Sequence, residues 1–363
     1  MLSTDLFRVP CPTCGSQMRF SPEKQQLSCD HCGNTQAIPF TKNKLEERPL
    51  HGYQVENQQL PNAPMEEKRV FECPNCGART TVNADLPTIT CAFCGTKNVN
   101  PEAKNTRLIE PAGVLPFRIS REQAIERFKS WVGDDLLAPS DLKAGARPDN
   151  FRGIYIPFWT FDAQAYSNWQ GEAGFYYNVT IQVPDGKGGT MNQQEQRVRW
   201  EPRSGSHSSF YDDILIMASK QLAGQEGTVA EASSYNLTDV VDYDPRFLLG
   251  WDAEVYSIDL SDSARRAEST IRAREENACA SELGGNVQRG LRVSTQLSNQ
   301  TFKHILLPLW ICAYVYNGKA YQFLVNGQTG RIAGERPKSA WKIALLVIGF
   351  ILLVLFFYAI SKK

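Results

Sequence analysis

CPTCGSQMRFSPEKQQLSCDHCG, residues 11–33, returns sixty-two positions later as CPNCGARTTVNADLPTITCAFCG, residues 73–95. Cys11, Cys14, Cys29 and Cys32 map one by one onto Cys73, Cys76, Cys91 and Cys94, and both units leave fourteen residues between their Cys-x-x-Cys pairs. One such turn aims two thiolates along an edge of a tetrahedron, and a second turn across a short hairpin closes a structural zinc site with no position left for water. A glycine follows each pair, at Gly15, Gly33, Gly77 and Gly95. Its positive φ lets backbone amides turn toward the sulfurs. The spacing therefore predicts two rubredoxin-like zinc ribbons, residues 1–40 and 71–100, with two structural Zn2+ ions.

Eight of the ten cysteines lie in these pairs, and Cys279 and Cys312 are expected to be buried small hydrophobes. The opening MLSTDLFRVP has no apolar signal-peptide core, so a reducing compartment is expected rather than a disulfide framework. Redox-active Cys-x-x-Cys motifs occur singly in a βαβ setting, not as matched knuckles. His31 is read as exposed and outside the metal site, because four thiolates complete the shell.

A ribbon this small cannot bury an apolar core, so the metal supplies its folding energy and its outer faces are expected to be free for contacts. Nucleic-acid binding would need clustered base. Residues 1–100 hold ten Lys plus Arg and ten Asp plus Glu, and thiolate-bound zinc adds negative charge. Protein is thus the expected partner and nucleic acid the alternative, favoured only if Arg19, Arg79 and Lys97 share a face. Residues 41–70 are polar, carry three prolines and show no period, which reads as a flexible linker, or as a recognition segment around His51–Val55.

Residues 101–339 have the composition of an α+β domain with an antiparallel sheet. Ser120 and Gln123 form a capping box for an amphipathic helix over 120–132, and a second helical stretch runs over 261–283. Residues 151–183, the turn PDGKGG and QEQRVRWEP suggest at least three antiparallel strands. Asn317-Gly318 is a hairpin signal that pairs Tyr316 with Lys319, Tyr314 with Tyr321, Cys312 with Phe323 and Trp310 with Val325. That aromatic face is expected to pack under the preceding helix, and Asn326-Gly327 with Gly330 marks another turn. IPFW (156–159) and LPLW (307–310) point to two related helix-plus-sheet halves.

No phosphate-binding loop, dinucleotide fingerprint or nucleophile elbow occurs, and none of His31, His51, His207 and His304 has helical metal spacing. The adjacent pairs Asp134-Asp135 and Asp212-Asp213 are read as solvated charge or helix caps, since neighbouring side chains diverge. No catalytic residues are assigned; a polar cleft near His207 or His304 would reopen an enzymatic reading.

Residues 341–360, WKIALLVIGFILLVLFFYAI, are expected to form a transmembrane helix. Ile343–Ile360 is uncharged, and as a helix of about 27 Å it matches a bilayer core, with Trp341 and Tyr358 at interfacial positions. Arg331, Arg336, Lys338 and Lys342 outnumber Lys362 and Lys363 across it, which places the bulk of the chain in the cytoplasm. Residues 101–340 hold 26 basic and 29 acidic residues, so the helix alone is expected to anchor the chain to the cytoplasmic membrane.

The CPxCG ribbons, IYIPFWTFDAQAYSNWQGEAG, LLPLWICAYVYNGKAYQFLVNGQTGRIAGERPKS and the terminal apolar helix together resemble the bacterial membrane proteins known as TFIIB-type zinc-ribbon-containing proteins, some of which are named after primosomal protein N′. The likeness runs from Phe151 to Ser339. It implies a membrane-bound adaptor for cytoplasmic proteins of the SPFH (flotillin-like) or phage-shock protein A-like type during envelope stress. The helicase label has no support in a chain without a nucleotide-binding loop.

Overall fold

The computed structural model describes residues 8–361, apart from 40–44, 51–64, 83–87, 100–101, 134–136, 140–150, 185–187, 223–227, 229–233, 317–318 and 336. The His51–Val55 segment and the Asp134-Asp135 pair lie outside the described residues. In chain order the strands are β1 (Met18–Ser21), β2 (Gln26–Cys29), β3 (Thr35–Gln36), β4 (Arg48–Pro49), β5 (Met65–Glu72), β6 (Arg79–Thr81), β7 (Thr88–Thr90), β8 (Lys97–Val99), β9 (Ala103–Ile109) and β10 (Gly113–Val114). Helix α1 (Arg121–Gly133) precedes β11 (Phe151–Pro184), β12 (Thr190–Met217), β13 (Val241–Asp242) and β14 (Asp252–Ala253). Helix α2 (Leu260–Leu283), β15 (Val287–Tyr316), β16 (Lys319–Asn326), β17 (Ile332–Gly334) and helix α3 (Ala340–Ser361) complete the chain.

The capping box forms as expected. Ser120 N–H donates to Gln123 Oε1 at 3.0 Å and Gln123 N–H to Ser120 Oγ at 3.4 Å. The Asn317-Gly318 hairpin has the expected register, from Tyr316↔Lys319 to Trp310↔Val325. Its apolar face packs under α1 rather than under α2, however: Phe128 stacks on Phe323 with centroids 4.0 Å apart. Chain order suggested the nearer helix, but α2 lies farther along the same sheet, over Trp169, Ala173 and Trp159.

Where at least three strands were expected over 151–183 and QEQRVRWEP, there are two, β11 and β12, and β11 alone runs 34 residues, up to about 110 Å if straight. Pro157 lies within the strand opposite Leu306 without ending it, and Gly171 and Gly174 sit beneath Leu283, Val198 and Trp200, where a Cβ would clash, rather than at turns. β12 returns along β11 from Pro184↔Thr190, and β15 pairs on the other side. Two short pairings, β10 with β15 and β11 with β14, are parallel, so the sheet is not wholly antiparallel.

The centre of the sheet repeats itself. Ile156 lies opposite Leu307, so a local twofold relates IPFW to LPLW. Ala218 N–H donates to Pro157 O and Gly327 N–H to Pro308 O, at 3.0 and 2.9 Å. Ile258 N–H donates to Ala218 O as Ile119 N–H does to Gly327 O. Trp159 Nε1–H donates to Ile258 O at 3.2 Å, and Trp310 Nε1–H to Ile119 O at 3.0 Å. Each tryptophan thus holds the residue just before a helix N-cap, Asp259 for α2 and Ser120 for α1.

At one level the three long strands are all irregular. β11 slips register around Asp162 against both neighbours, and Asp213 and Asn299 take φ of 52° and 50°. Beyond this level α2 covers the sheet. Past Gly174 only β11 and β12 continue, as a two-stranded ribbon of ten residues on β11.

The four-cysteine modules are not displayed on a linker. Met18, Phe20 and Leu27 of the first share a core with Phe117, Phe247 and Trp310, and Phe20 N–H donates to Leu249 O at 2.9 Å. Phe71, Cys73, Cys91 and Phe93 of the second cover Ile154, Ile156, Leu307 and Leu309 on the opposite sheet face. Residues 41–70 are not a simple linker either: Arg48–Pro49 pairs with Thr301–Phe302, Leu50 is buried, and β5 begins at Met65 and pairs with β9. Removing residues 1–100 would therefore open both faces of the sheet instead of leaving a folded remainder.

Helix α3 is 22 residues long and apolar enough to cross a bilayer. Ser339 N–H donates to Leu137 O at 2.8 Å and Lys342 Nζ to Ala138 O at 2.7 Å, which ties its start to the chain leaving α1.

Glu254, 3% exposed, bridges to Thr80 through its backbone and accepts Ser219 Oγ–H at 2.7 Å. Burial raises its carboxyl to about 8. A folded pKa above the unfolded one means that the native state holds the proton more tightly, so stability falls as pH rises from about 4.5 to about 8. Glu254→Gln should flatten this slope, by on the order of a few kcal/mol between pH 5 and pH 9. Parallel pH-dependent denaturation curves for the two proteins would contradict the assignment.

Candidate metal centres

The same turn is built four times. Gly15 N–H donates to Cys11 O, Gly33 to Cys29, Gly77 to Cys73 and Gly95 to Cys91, at 2.7–2.9 Å. The glycines have φ of 72–76°. A Cβ at Gly15, Gly33 or Gly95 would meet nothing within 4 Å, so backbone conformation and not space demands glycine there.

In the first module Cys11 Sγ is 3.5 Å from Cys32 Sγ, and Cys14 from Cys29 likewise. In the second, Cys73 is 3.7 Å from Cys94 and Cys76 3.6 Å from Cys91. A tetrahedron with zinc–sulfur bonds of about 2.3 Å has edges of about 3.8 Å, whereas a disulfide would need about 2.05 Å. All four sulfurs of each group lie within 4.8 Å of one another. Both quartets therefore fit one tetrahedral ion each, and an all-thiolate set favours Zn2+ over harder cations. The Ser16 amide and hydroxyl pull the Cys14 thiol down to about 6, while the hydrogen bonds of Cys32 to Cys11 and Cys14 help push that thiol up to about 12. His31 is exposed and not among the grouped ligands.

Identical ligand sets sit in different surroundings. Cys14 and Cys32 are exposed, while Cys76 and Cys94 are half-buried. Asp30 and His31 in the first module are replaced by buried Ala92 and Phe93 in the second. CDHCG against CAFCG is the sequence signal for the second module's burial. Cys279 and Cys312, 0% and 1% exposed, behave as the expected small hydrophobes.

Asp212 and Asp213 do not diverge as solvated charge. The positive φ at Asp213 breaks the alternation, and their carboxylates gather with that of buried Asp162. Asp162 accepts from Asp213 N–H and Thr301 Oγ1–H at 2.7 and 2.9 Å. Lys303 Nζ lies 2.8 Å from Asp213 and 3.6 Å from Asp162, so this cluster already holds its cation.

Under α2, His207 Nδ1 is 2.6 Å from Glu282 Oε1 and its Nε2 is 2.7 Å from Ser209 Oγ. Fully buried Glu275 accepts from Ser167 and Tyr211 at 2.6 and 2.8 Å. Sequence reading missed this network, because His207, Ser209 and Tyr211 show only strand alternation. It joins helix to sheet. His304 is buried, held neutral with its pKa lowered to about 4, and its Nδ1 faces Ile109 O at 3.0 Å.

Among the described residues a cleft of about 2420 Å³ is lined by β1 and β2 of the first module, by β5 and β9, and by Trp251, Asp252, Glu254 and His304, the last being one of the two histidines beside which a cleft was expected to reopen an enzymatic reading. Burial raises the Asp252 carboxyl to about 6.

No family model matches the chain, and no solved structure matches it. It is 27% identical over 341 residues to a protein described as uncharacterized protein YdjG of Bacillus subtilis (strain 168), a match that spans 92% of this chain and 91% of that one. The match covers most of the length of both chains.

Metal analysis of the reduced full-length chain should find two Zn2+ per molecule, one for each quartet that fits. Cys14→Ser should lose one equivalent with a modest fall in stability. Cys76→Ser, at the matching position, should also lose one, but with a larger fall, since that sulfur is half-buried and packs against the sheet. Equal destabilisation by the two would contradict the difference in burial.

Proposed function

We propose that this chain is a tail-anchored scaffold of the cytoplasmic membrane that presents a protein-binding cleft walled by two zinc ribbons. Two structural Zn2+ ions hold the walls, and α3 crosses the bilayer with the bulk of the chain on the cytoplasmic side. The observation that carries this reading is the cleft: two quartets suited to zinc fix its opposite sides, and its size suits a polypeptide segment better than a small metabolite. Contacts shift from the outer ribbon faces, as first expected, to the space between the ribbons. The resemblance to TFIIB-type zinc-ribbon membrane proteins points to SPFH (flotillin-like) or phage-shock protein A-like partners. Cleft charge gives no support to nucleic acid, because Arg19 faces Asp30 at 3.7 Å and Glu23, Glu66, Glu67 and Glu110 line the same walls as the basic residues.

A photo-crosslinking residue at Lys104, on the cleft wall, should capture a protein from native membranes, while one at Lys129 on α1 should not. Recovery of nucleic acid from position 104, with a log–log salt slope of about −4 or steeper, would replace the adaptor reading with a nucleic-acid one.

A further inference from the structure

The hairpin of β11 and β12 outruns its support. β15 stops pairing at Gly174↔Val287, and α2 ends at Leu283. Beyond that, two strands continue alone with Phe175, Tyr177, Val179, Ile181 and Val183 on one face. A two-stranded ribbon is marginal in water, and this one carries an apolar stripe without a helix over it.

β12 also ends the sheet. Among the described residues it pairs only with β11, and every residue from Thr190 to Phe210 is exposed or half-buried. The opposite edge is treated differently, since Arg272 of α2 donates to the Thr295 carbonyl of β15 at 2.8 Å. Such an open edge is a template for another strand.

The residues along the open edge say which strand fits. Glu195, Arg197, Arg199, Glu201 and Arg203 alternate along one face of β12. Turned about a twofold at Arg199, this series meets itself with Glu195 opposite Arg203 and Arg197 opposite Glu201, each pair made twice. On the other face Val198 and Trp200, which converge over Gly174, would meet each other across the axis. Aromatic with β-branched and opposite charges are the favoured cross-strand pairs. The two Arg199 side chains meet at the axis, a like-charge contact offset by Glu201, which lies 2.9 Å from Arg199 and 3.3 Å from Arg203 of its own copy. Arg197 lies 3.1 Å from its own Glu195, so the new pairs extend ion pairs already present in each copy. Pro202 fits an edge with its nitrogen facing away from β11, and it withholds one donor per copy from the new ladder.

We propose that β12 pairs antiparallel with β12 of a second copy of this chain, with Arg199 at the twofold axis. The ribbon then becomes four-stranded, and α2 of each copy lies on the same sheet face, beside the apolar stripe of the other. This dimer is independent of what occupies the cleft.

The test is the oligomeric state of the full-length chain in detergent, by light scattering and sedimentation. Wild type should dimerise. Arg197→Glu or Glu201→Arg alone turns two ion pairs into repulsions and should raise the dissociation constant about tenfold or more, while the double exchange should restore it to within about threefold. Circular dichroism melts and zinc content show that each variant is folded. A monomeric wild type, or a dimer indifferent to the single reversals as one held only by α3 would be, overturns the proposal. Failure of the folded double variant to recover overturns the register.

Discussion

Everything else hangs on the pairing of β11 with β15 around Ile156 and Leu307. Around this pair the side chains alternate between two cores. Tyr155, Leu306 and Trp310 face α1 and the first four-cysteine module, while Ile154, Ile156 and Leu309 face the second. Because the bonding repeats about that point, Trp159 and Trp310 each fasten a helix start, and two helices of different length leave the sheet in related ways. A slip of one residue in this register would exchange the two faces and leave both modules without a partner.

That dependence changes what the metal means for the chain. In an isolated ribbon, losing zinc would unfold a few dozen residues. Here Cys73 and Cys91 belong to the hydrophobic layer on Ile156 and Leu307, so the second ion would be coupled to the sheet itself. The first module is coupled to the other face in the same way, through Cys11 and Cys29 beside Met18, Phe20 and Leu27, but keeps Cys14 and Cys32 at the surface where Cys76 and Cys94 are half-buried.

The metal quartets were legible because ligand spacing is local, and four glycines announce the same turn. The helices and the Asn317-Gly318 register were legible for the same reason: capping and turn chemistry act within a few residues. Strand length was not, because nothing in 151–183 distinguishes one long strand from several until its partners are known. Nor was the docking of the modules, which depends on contacts such as Phe20 with Phe247, more than two hundred residues apart. Ala92-Phe93 in the second knuckle carried that information, but it becomes readable only beside a sheet face that needs covering. The bulges at Asp162, Asp213 and Asn299 were hidden because nothing in the local pattern marks which Asp or Asn takes positive φ, as Asp213 and Asn299 do.

The attachment of α3 has one more consequence. Ser339 and Lys342 bond to the carbonyls of Leu137 and Ala138, so no free swivel separates the terminal helix from the folded body. A protein on a floppy stalk meets its partner from every heading, and most headings are unproductive. With α3 in the bilayer, this chain would hold its cleft at one height and one heading. Orientational entropy that association normally costs would already be spent at anchoring, and a partner confined to the same surface would face a search in two dimensions rather than three.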